Sequence, residues 1–160
     1  MKSKYNQTVD LLISHNQIQI RSRPFNETLS QWGKKNIDQG AVIYDDYVIF
    51  DPLPEDTFGA NIHLTLTNDF KIDKDTQRCI VAPFYIRNNE NVEIASAAEK
   101  FKIDLDFENN LYSLYYEICE GDEIFYKLTF VPSETPITPM YLMDDPWGGK
   151  KNKPLEIGLV

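Results

Sequence analysis

The residues best suited to chemistry in this chain are two pairs of adjacent aspartates, Asp45-Asp46 and Asp144-Asp145. Two carboxylates can act together as general acid and base, and they can also bind a divalent metal ion. Adjacent acids at turns are, however, most often solvated turn residues. The pairs alone therefore do not indicate a catalytic site.

No second catalytic group accompanies these aspartates. Of the two histidines, His15 lies where the apolar parity changes between Ile13 and Ile18, which indicates a bulge or a bend, and His63 lies on the polar side of an alternating stretch. Neither belongs to a metal-binding motif, and the sequence has no nucleophile elbow and no glycine-rich phosphate-binding loop. We therefore predict a protein that is not an enzyme, with no catalytic residues, no bound metal and no cofactor.

The two cysteines, Cys79 and Cys119, each lie inside an apolar run rather than in a zinc-type spacing. We expect both to be free, buried thiols. The clustered aspartates leave a calcium site on a loop open as an alternative, because Ca²⁺ takes six to eight oxygen ligands.

The net charge of −9 argues against a nucleic-acid binder, because proteins contact phosphates through patches of Lys and Arg. A basic partner is the natural complement of such a chain. Acidic charge also simply keeps a protein soluble, so it does not prove that a partner exists.

The acidic charge is concentrated in two intervals that contain no Lys or Arg, one between Lys35 and Lys71 and the other between Lys102 and Lys127. If the two intervals form one face, its field attracts a cationic partner. Exposed aromatic residues beside acids suit the centre of such an interface. The candidate partner-binding residues are Asp45, Asp46, Tyr47, Glu117, Glu120, Asp122, Glu123, Asp144, Asp145 and Trp147.

The elements that must position these residues are mostly strands. Residues 101–118 alternate apolar and polar side chains on both sides of Asn109-Asn110, which predicts a β-hairpin. Residues 29–39 show helical spacing and end before Gly40, which predicts one short helix. Short strands with hairpin-like spacing favour an all-β antiparallel β-sandwich. The predicted core residues are Phe101, Ile103, Leu105, Leu114, Tyr116 and Leu128.

The length of 160 residues is typical of a single domain, and we expect one that spans 1–160. Residues 132–160 form an irregular extension rich in Pro and Gly, with a final short strand predicted at 155–159. The first ten residues lack the apolar segment of a signal peptide, and no stretch is long enough to span a membrane. We expect a cytoplasmic protein.

The order of motifs over residues 9–131 resembles the bacterial ComJ family, also called Nin. The residues that carry the resemblance are, in order, Leu12-Ile13-Ser14-His15-Asn16-Gln17-Ile18, Trp32 with Ile37-Asp38-Gln39-Gly40, Val48-Ile49-Phe50, Val81-Ala82-Pro83-Phe84, Val92-Glu93-Ile94-Ala95-Ser96, Phe101-Lys102-Ile103-Asp104-Leu105 and Leu111-Tyr112-Ser113-Leu114. The resemblance rests on the order and spacing of these motifs together. The extension at 132–160 is longer than the resemblance leads us to expect.

The resemblance implies a non-catalytic protein that binds and inhibits a competence-linked DNA-entry nuclease, or an immunity protein for a nuclease toxin. The family offers no catalytic residues to carry over, so the contact residues rest on charge and exposure. Two alternatives stay open: a calcium- or lipid-binding sandwich, and a carbohydrate-binding sandwich that uses Trp32 or Trp147 as a platform. The oligomeric state does not follow from the sequence.

Overall fold

Alternating apolar residues fold this chain into two β-sheets that pack face to face. The computed structural model describes residues 4–53, 59–88 and 91–160. The strands are β1 (Asn6–Leu12), β2 (Ile18–Arg21), β3 (Ala41–Ile43), β4 (Tyr47–Phe50), β5 (Gly59–Leu66), β6 (Thr76–Tyr85), β7 (Glu93–Ala95), β8 (Lys100–Lys102), β9 (Leu111–Glu120), β10 (Ile124–Pro132) and β11 (Met140–Tyr141).

A six-stranded sheet runs in the order β1-β5-β10-β9-β6-β11, and a five-stranded sheet runs in the order β3-β4-β2-β7-β8. All pairs of neighbouring strands are antiparallel except β5 and β10, which are parallel. The predicted all-β sandwich with one short helix is confirmed, with this parallel pair as an exception to the antiparallel pattern.

The core lies between the two sheets. At its centre the rings of Phe50, from the five-stranded sheet, and Tyr116, from the six-stranded sheet, stack with centroids 4.2 Å apart. Five of the six predicted core residues are buried, and Phe101 is half-buried against the same core. Period-two alternation therefore identified the inward faces of these strands.

The predicted hairpin over residues 101–118 is wrong. Its first arm begins in β8 of the five-stranded sheet and continues as a segment without regular strand structure. Its second arm is β9, which belongs to the six-stranded sheet. The alternation itself is correct, because Ile103, Leu105 and Phe107 are buried while Lys102 and Asp104 are exposed. The apolar side chains of an extended segment that lies against the core are buried in it, even when the segment does not pair with the predicted strand.

The suspected bend near His15 is confirmed. His15 and Asn16 have φ values of 55° and 51°, in the left-handed region, between bridge partners Ser14 and Gln17. The bend sends β1 into one sheet and β2 into the other, which explains why the apolar parity changes there.

The helix is shorter than predicted. Residues 28–30 form a single 3₁₀ turn, and the α-helix, α1, spans Lys34–Gln39. Gly33, at the start of α1, lies so close to the backbone of Val160 that a Cβ there would be 2.0 Å from the Val160 oxygen. Gly40 ends the helix with a φ of 85°, as predicted from its position.

Residues 132–160, called the tail below, pack along the sandwich without forming the predicted final strand. After Pro132, which ends β10, the tail joins a sheet through β11, which pairs with Ile80 and Val81 of β6. The stretch 155–159 is held instead by separate contacts, such as the hydrogen bond of 2.8 Å from the Gly158 nitrogen to the Ile43 oxygen. The alternation at 155–159 thus reflects an extended chain lying against α1 and β3 rather than a sheet strand.

Both cysteines are free and buried, as predicted. They lie on the outer face of the six-stranded sheet, where residues 67–75 cross over them. Burial raises the pKa of the Cys79 thiol, and it raises the pKa of Cys119 to about 12. Both sulfurs are therefore held as neutral thiols.

Candidate partner-binding surfaces

Asp45 and Asp46 form the tight turn between β3 and β4, but they do not present a free acidic surface. The Asp46 side chain is buried, and its Oδ2 accepts hydrogen bonds from Arg23 at 2.9 Å and from Arg87. Asp45 is exposed and pairs with Arg87 at 3.1 Å. These four residues, called the Asp46 cluster below, carry two positive and two negative charges.

The charges in the Asp46 cluster also set the acidity of Asp46. Burial by itself raises the pKa of this carboxyl, but the hydrogen bonds from Arg23 and Arg87 outweigh that effect. The pKa of Asp46 is therefore lowered, and the group is held as a carboxylate.

Tyr47 is an anchor inside the protein and not an exposed contact. Its ring packs with Val42 and Ile49 on the outer face of the five-stranded sheet, beneath half-buried side chains that include Trp32. Its hydroxyl donates to Gln19 Oε1 at 3.0 Å. The expectation that Tyr47 is exposed is wrong, because the 22–33 segment folds over this sheet.

Glu117 is also buried. It lies on the outer face of the six-stranded sheet, where the crossing segment 67–75 covers it. Its Oε2 accepts hydrogen bonds from the Asp73 nitrogen at 2.9 Å and from the Thr76 hydroxyl. Glu117 therefore fastens that segment to the sheet and is not available to a partner.

Three of the predicted residues do form an exposed group. Glu120, Asp122 and Glu123 occupy the turn between β9 and β10. Asp75 lies beside this turn, because its carbonyl oxygen accepts a hydrogen bond of 2.9 Å from the Glu120 nitrogen. These four residues are called the acidic hairpin below.

In the tail, Asp144 is exposed, whereas the Asp145 side chain is completely buried. Arg78 donates two hydrogen bonds to Asp145, one of 2.8 Å from Nε to Oδ2 and one of 3.1 Å from Nη2 to Oδ1. Its Oδ1 also accepts the backbone nitrogens of Trp147 and Gly149. Asp145 therefore organises the tail around a buried cation and cannot contact a partner.

Trp147 is half-buried, with its ring 5.7 Å from the guanidinium carbon of Arg78. Part of the ring lines a groove of about 380 Å³ beside Asp38 and Gln39 of α1. Neither Trp147 nor the half-buried Trp32 is a free aromatic platform of the kind that a carbohydrate-binding protein presents.

Sequence reasoning missed Arg78, although the sequence carries a signal for it. Arg78 shares its parity with Ile80, Ala82 and Phe84, which all face the core. Period-two alternation therefore places this arginine inside the sandwich, and a buried arginine requires a carboxylate partner.

The predicted contact residues of the two base-free intervals do not lie together. The acidic hairpin and Asp144 lie near the end of the six-stranded sheet where β6 begins. Asp45 lies beyond the other end of β6, where its carbonyl oxygen accepts the Tyr85 nitrogen at 2.7 Å. Ten residues of strand, at roughly 3.3 Å per residue, separate the two groups.

Within the described ranges no three His, Cys, Asp or Glu side chains are arranged to hold a metal ion. None of the helices in those ranges is long and apolar enough to cross a membrane.

Two comparisons with known proteins give a match, one to a protein family and one to a solved structure. The family model described as Competence protein J (ComJ) matches residues 10–131. A comparison with curated proteins gives no match. The crystal structure of ComJ, inhibitor of the DNA-degrading activity of NucA, from Bacillus subtilis is similar in fold, with a TM-score of 0.62 and 18% sequence identity. The similarity covers 82% of this chain and 98% of that one, and the family match stops where the tail begins. The chain therefore belongs to the Competence protein J (ComJ) family.

Proposed function

We propose that this protein is a non-catalytic inhibitor that binds a DNA-degrading nuclease and blocks its access to DNA. The observation that carries the proposal is the family match over residues 10–131, together with a fold shared with an inhibitor of the nuclease NucA. The similar structure shows the fold, and the inhibitory role is what we carry over to this chain.

The charge of the protein supplies a physical mechanism. A nuclease must present a cationic surface to bind the phosphates of DNA, and a rigid acidic surface can occupy that site in their place. Of the ten predicted contacts, the acidic residues that lie exposed near one end of the sandwich are Glu120, Asp122, Glu123 and Asp144. We propose that this end contacts a basic nuclease, with the exposed edge of Trp147 nearby.

The ion pairs made by the two aspartate pairs support a role without catalysis. Asp46 forms ion pairs with two arginines, and Asp145 forms a buried ion pair with Arg78. Each pair therefore has one member in a structural ion pair, and neither pair presents two free carboxylates to a substrate.

We also propose that the protein acts in the cytoplasm. Both of its cysteines are free thiols, which is the usual state in a reducing compartment.

A plasmid-degradation assay tests the proposal. NucA from Bacillus subtilis and the DNA-degrading nucleases of the source organism, whether linked to competence or to a toxin, are each incubated with plasmid DNA and increasing amounts of the protein. We expect stoichiometric protection of the plasmid from one of these nucleases and no cleavage by the protein alone. Protection from none of them, or plasmid cleavage by the purified protein, would overturn the proposal.

A further inference from the structure

A groove of about 440 Å³ crosses the outer face of the five-stranded sheet, whereas the acidic hairpin belongs to the six-stranded sheet. Its walls are Phe25 on one side and residues 97–100 on the other, and its floor includes Gln19 and Arg21 of β2. No part of the proposed contact surface lies in this groove, so its chemistry needs a separate explanation.

Arg21 is the central feature of the floor. Its side chain is only 6% exposed, and its guanidinium group donates to Gln19 Oε1 and, at 2.7 Å, to Glu93 Oε2. Its Nε–H has no hydrogen-bond partner among the described residues. A buried donor without an acceptor is unfavourable, and it is an unusual feature in a folded protein.

Phe25 covers this arginine from the solvent side. The guanidinium carbon lies 5.7 Å from the centre of the Phe25 ring and 5.9 Å from that of Tyr47, so two aromatic rings flank the cation. Tyr47 is fully buried, whereas Phe25 is 59% exposed. An exposed phenyl ring over a buried charge is a surface that a partner can cover.

The other polar groups in the groove show which ligand it fits. Gln19 is already saturated, because its Oε1 accepts from Arg21 and Tyr47 while its Nε2 donates to Gln17. Glu99 accepts the Leu12 nitrogen. The donors left over are the buried Nε–H of Arg21 and the exposed ammonium of Lys100, which makes no ion pair within the described residues, and they lie beside the carboxylate of Glu99. The charge of Arg21 is already paired with Glu93, but its Nε–H and the Lys100 ammonium can both still donate to a carboxylate.

We propose that this groove binds an acidic side chain of the protein partner, an inference that rests on the proposed function. Repulsion by the net charge of −9 lowers the affinity of the groove for a free small anion, so a free carboxylate should bind it weakly and only at high concentration. An acidic side chain on an otherwise basic partner escapes this repulsion, because the partner as a whole is attracted. The groove then supplies a contact of opposite sign to the acidic hairpin and fixes the orientation of the complex.

The groove is tested first on the free protein. The ¹H–¹⁵N resonance of Arg21 Nε is followed during titration with N-acetyl-glutamate N-methylamide, and with the matching glutamine compound as the uncharged control. We expect a saturable shift with the glutamate compound alone, and its loss in an Ala97→Trp variant that fills the groove from an exposed position. No shift, or equal shifts with both compounds, overturns the proposal.

The second arm measures inhibition of the nuclease that the wild-type protein blocks. Lys100→Glu and Lys102→Glu make the same change in net charge on one strand, but only Lys100 lines the groove. We expect Lys100→Glu to weaken inhibition by about tenfold or more, and Lys102→Glu to leave it unchanged or slightly stronger.

The two arms separate this proposal from the proposed function. Normal inhibition by Lys100→Glu and Ala97→Trp overturns the groove as a partner contact while the inhibitor function stands. If the wild-type protein blocks no nuclease, the proposed function and this choice of partner fall together, and a saturable Arg21 response then identifies a carboxylate site with a different source.

Discussion

Arg78 and Asp145 lie 67 residues apart in the chain and form a two-point ion pair with side chains that are 2% and 0% exposed. This pair joins β6, which belongs to the matched family region, to the tail, which lies outside it. The rings of Tyr141 and Trp147, both from the tail, flank the guanidinium of Arg78. The tail is therefore packed into the sandwich at Arg78, near the start of β6.

Replacement of Asp145 should show how strongly the tail is coupled to the fold. Asp145→Asn removes the ion-pair partner of the buried Arg78, and we expect a loss of about 3–5 kcal/mol in the free energy of unfolding. Urea denaturation measures this change. The exposed neighbour serves as control: Asp144→Asn should change stability by less than about 0.5 kcal/mol. Equal effects of the two substitutions would show that the ion pair does not hold the tail.

The end of the tail should depend on Asn36. Its Oδ1 accepts the nitrogens of Gly33 and Val160, and its Nδ2 donates to the oxygens of Ala41 and Gly158. Asn36→Ala removes all four bonds and should cost about 1–3 kcal/mol.

Hydrogen exchange of the Val160 amide checks the Asn36 prediction locally, because that amide donates to Asn36 Oδ1 at 2.9 Å. We expect its exchange to speed up in Asn36→Ala. Asp38→Ala, at an exposed position on the same helix, should leave it unchanged. Continued protection of this amide in the Asn36 variant would contradict the prediction.

The Asp46 cluster should make stability depend on acidic pH. The pKa of Asp46 is lowered from its ordinary value of 3.8, so its contribution to stability is present above that value and is lost as the pH falls through the lower, folded-state pKa. Asp46→Asn should therefore be less stable than wild type at neutral pH, and the gap should narrow below about pH 4.

Urea denaturation between pH 7 and pH 2 tests this dependence. Asp45→Asn is the matched control, because that exposed carboxyl belongs to the same turn but makes only a surface pair with Arg87. A stability gap between wild type and Asp46→Asn that stays constant down to pH 2 would refute the linkage.

Charge reversal at the acidic hairpin should slow association with a basic nuclease. Glu120→Lys, Asp122→Lys and Glu123→Lys together change the net charge from −9 to −3 and should reduce the association rate by about tenfold or more at low salt. The difference should nearly vanish near 1 M salt, where the Debye length is about 3 Å. Stopped-flow or surface-binding kinetics across a salt series measures both effects.

A matched control separates the location of these charges from their number. Asp69→Lys, Glu108→Lys and Glu134→Lys make the same change in net charge at exposed positions away from the acidic hairpin. This variant should associate faster than the hairpin variant at every low salt concentration. If both variants slow association equally, net charge alone steers the encounter and the hairpin is not the contact.

The sequence by itself determined which side chains face the core. Alternation placed Ile103, Leu105 and Leu114 inside, and Gly40 marked the end of the helix. These features are local: the direction of a side chain follows from the backbone geometry of its own strand, and a left-handed residue follows from its own φ. The same kind of signal, applied to Arg78, would have found the buried cation.

Only the tertiary structure decided which strands pair and which charges remain exposed. Residues 101–107 and β9 read as one hairpin, yet they belong to different sides of the sandwich, because pairing is set by distant partners and not by the alternation within each strand. Asp46 lies in an interval without Lys or Arg, yet Arg23 and Arg87 neutralise it from outside that interval. Coulombic attraction acts through space, so the charge of a surface depends on which residues folding brings together, and a count along the chain cannot supply it.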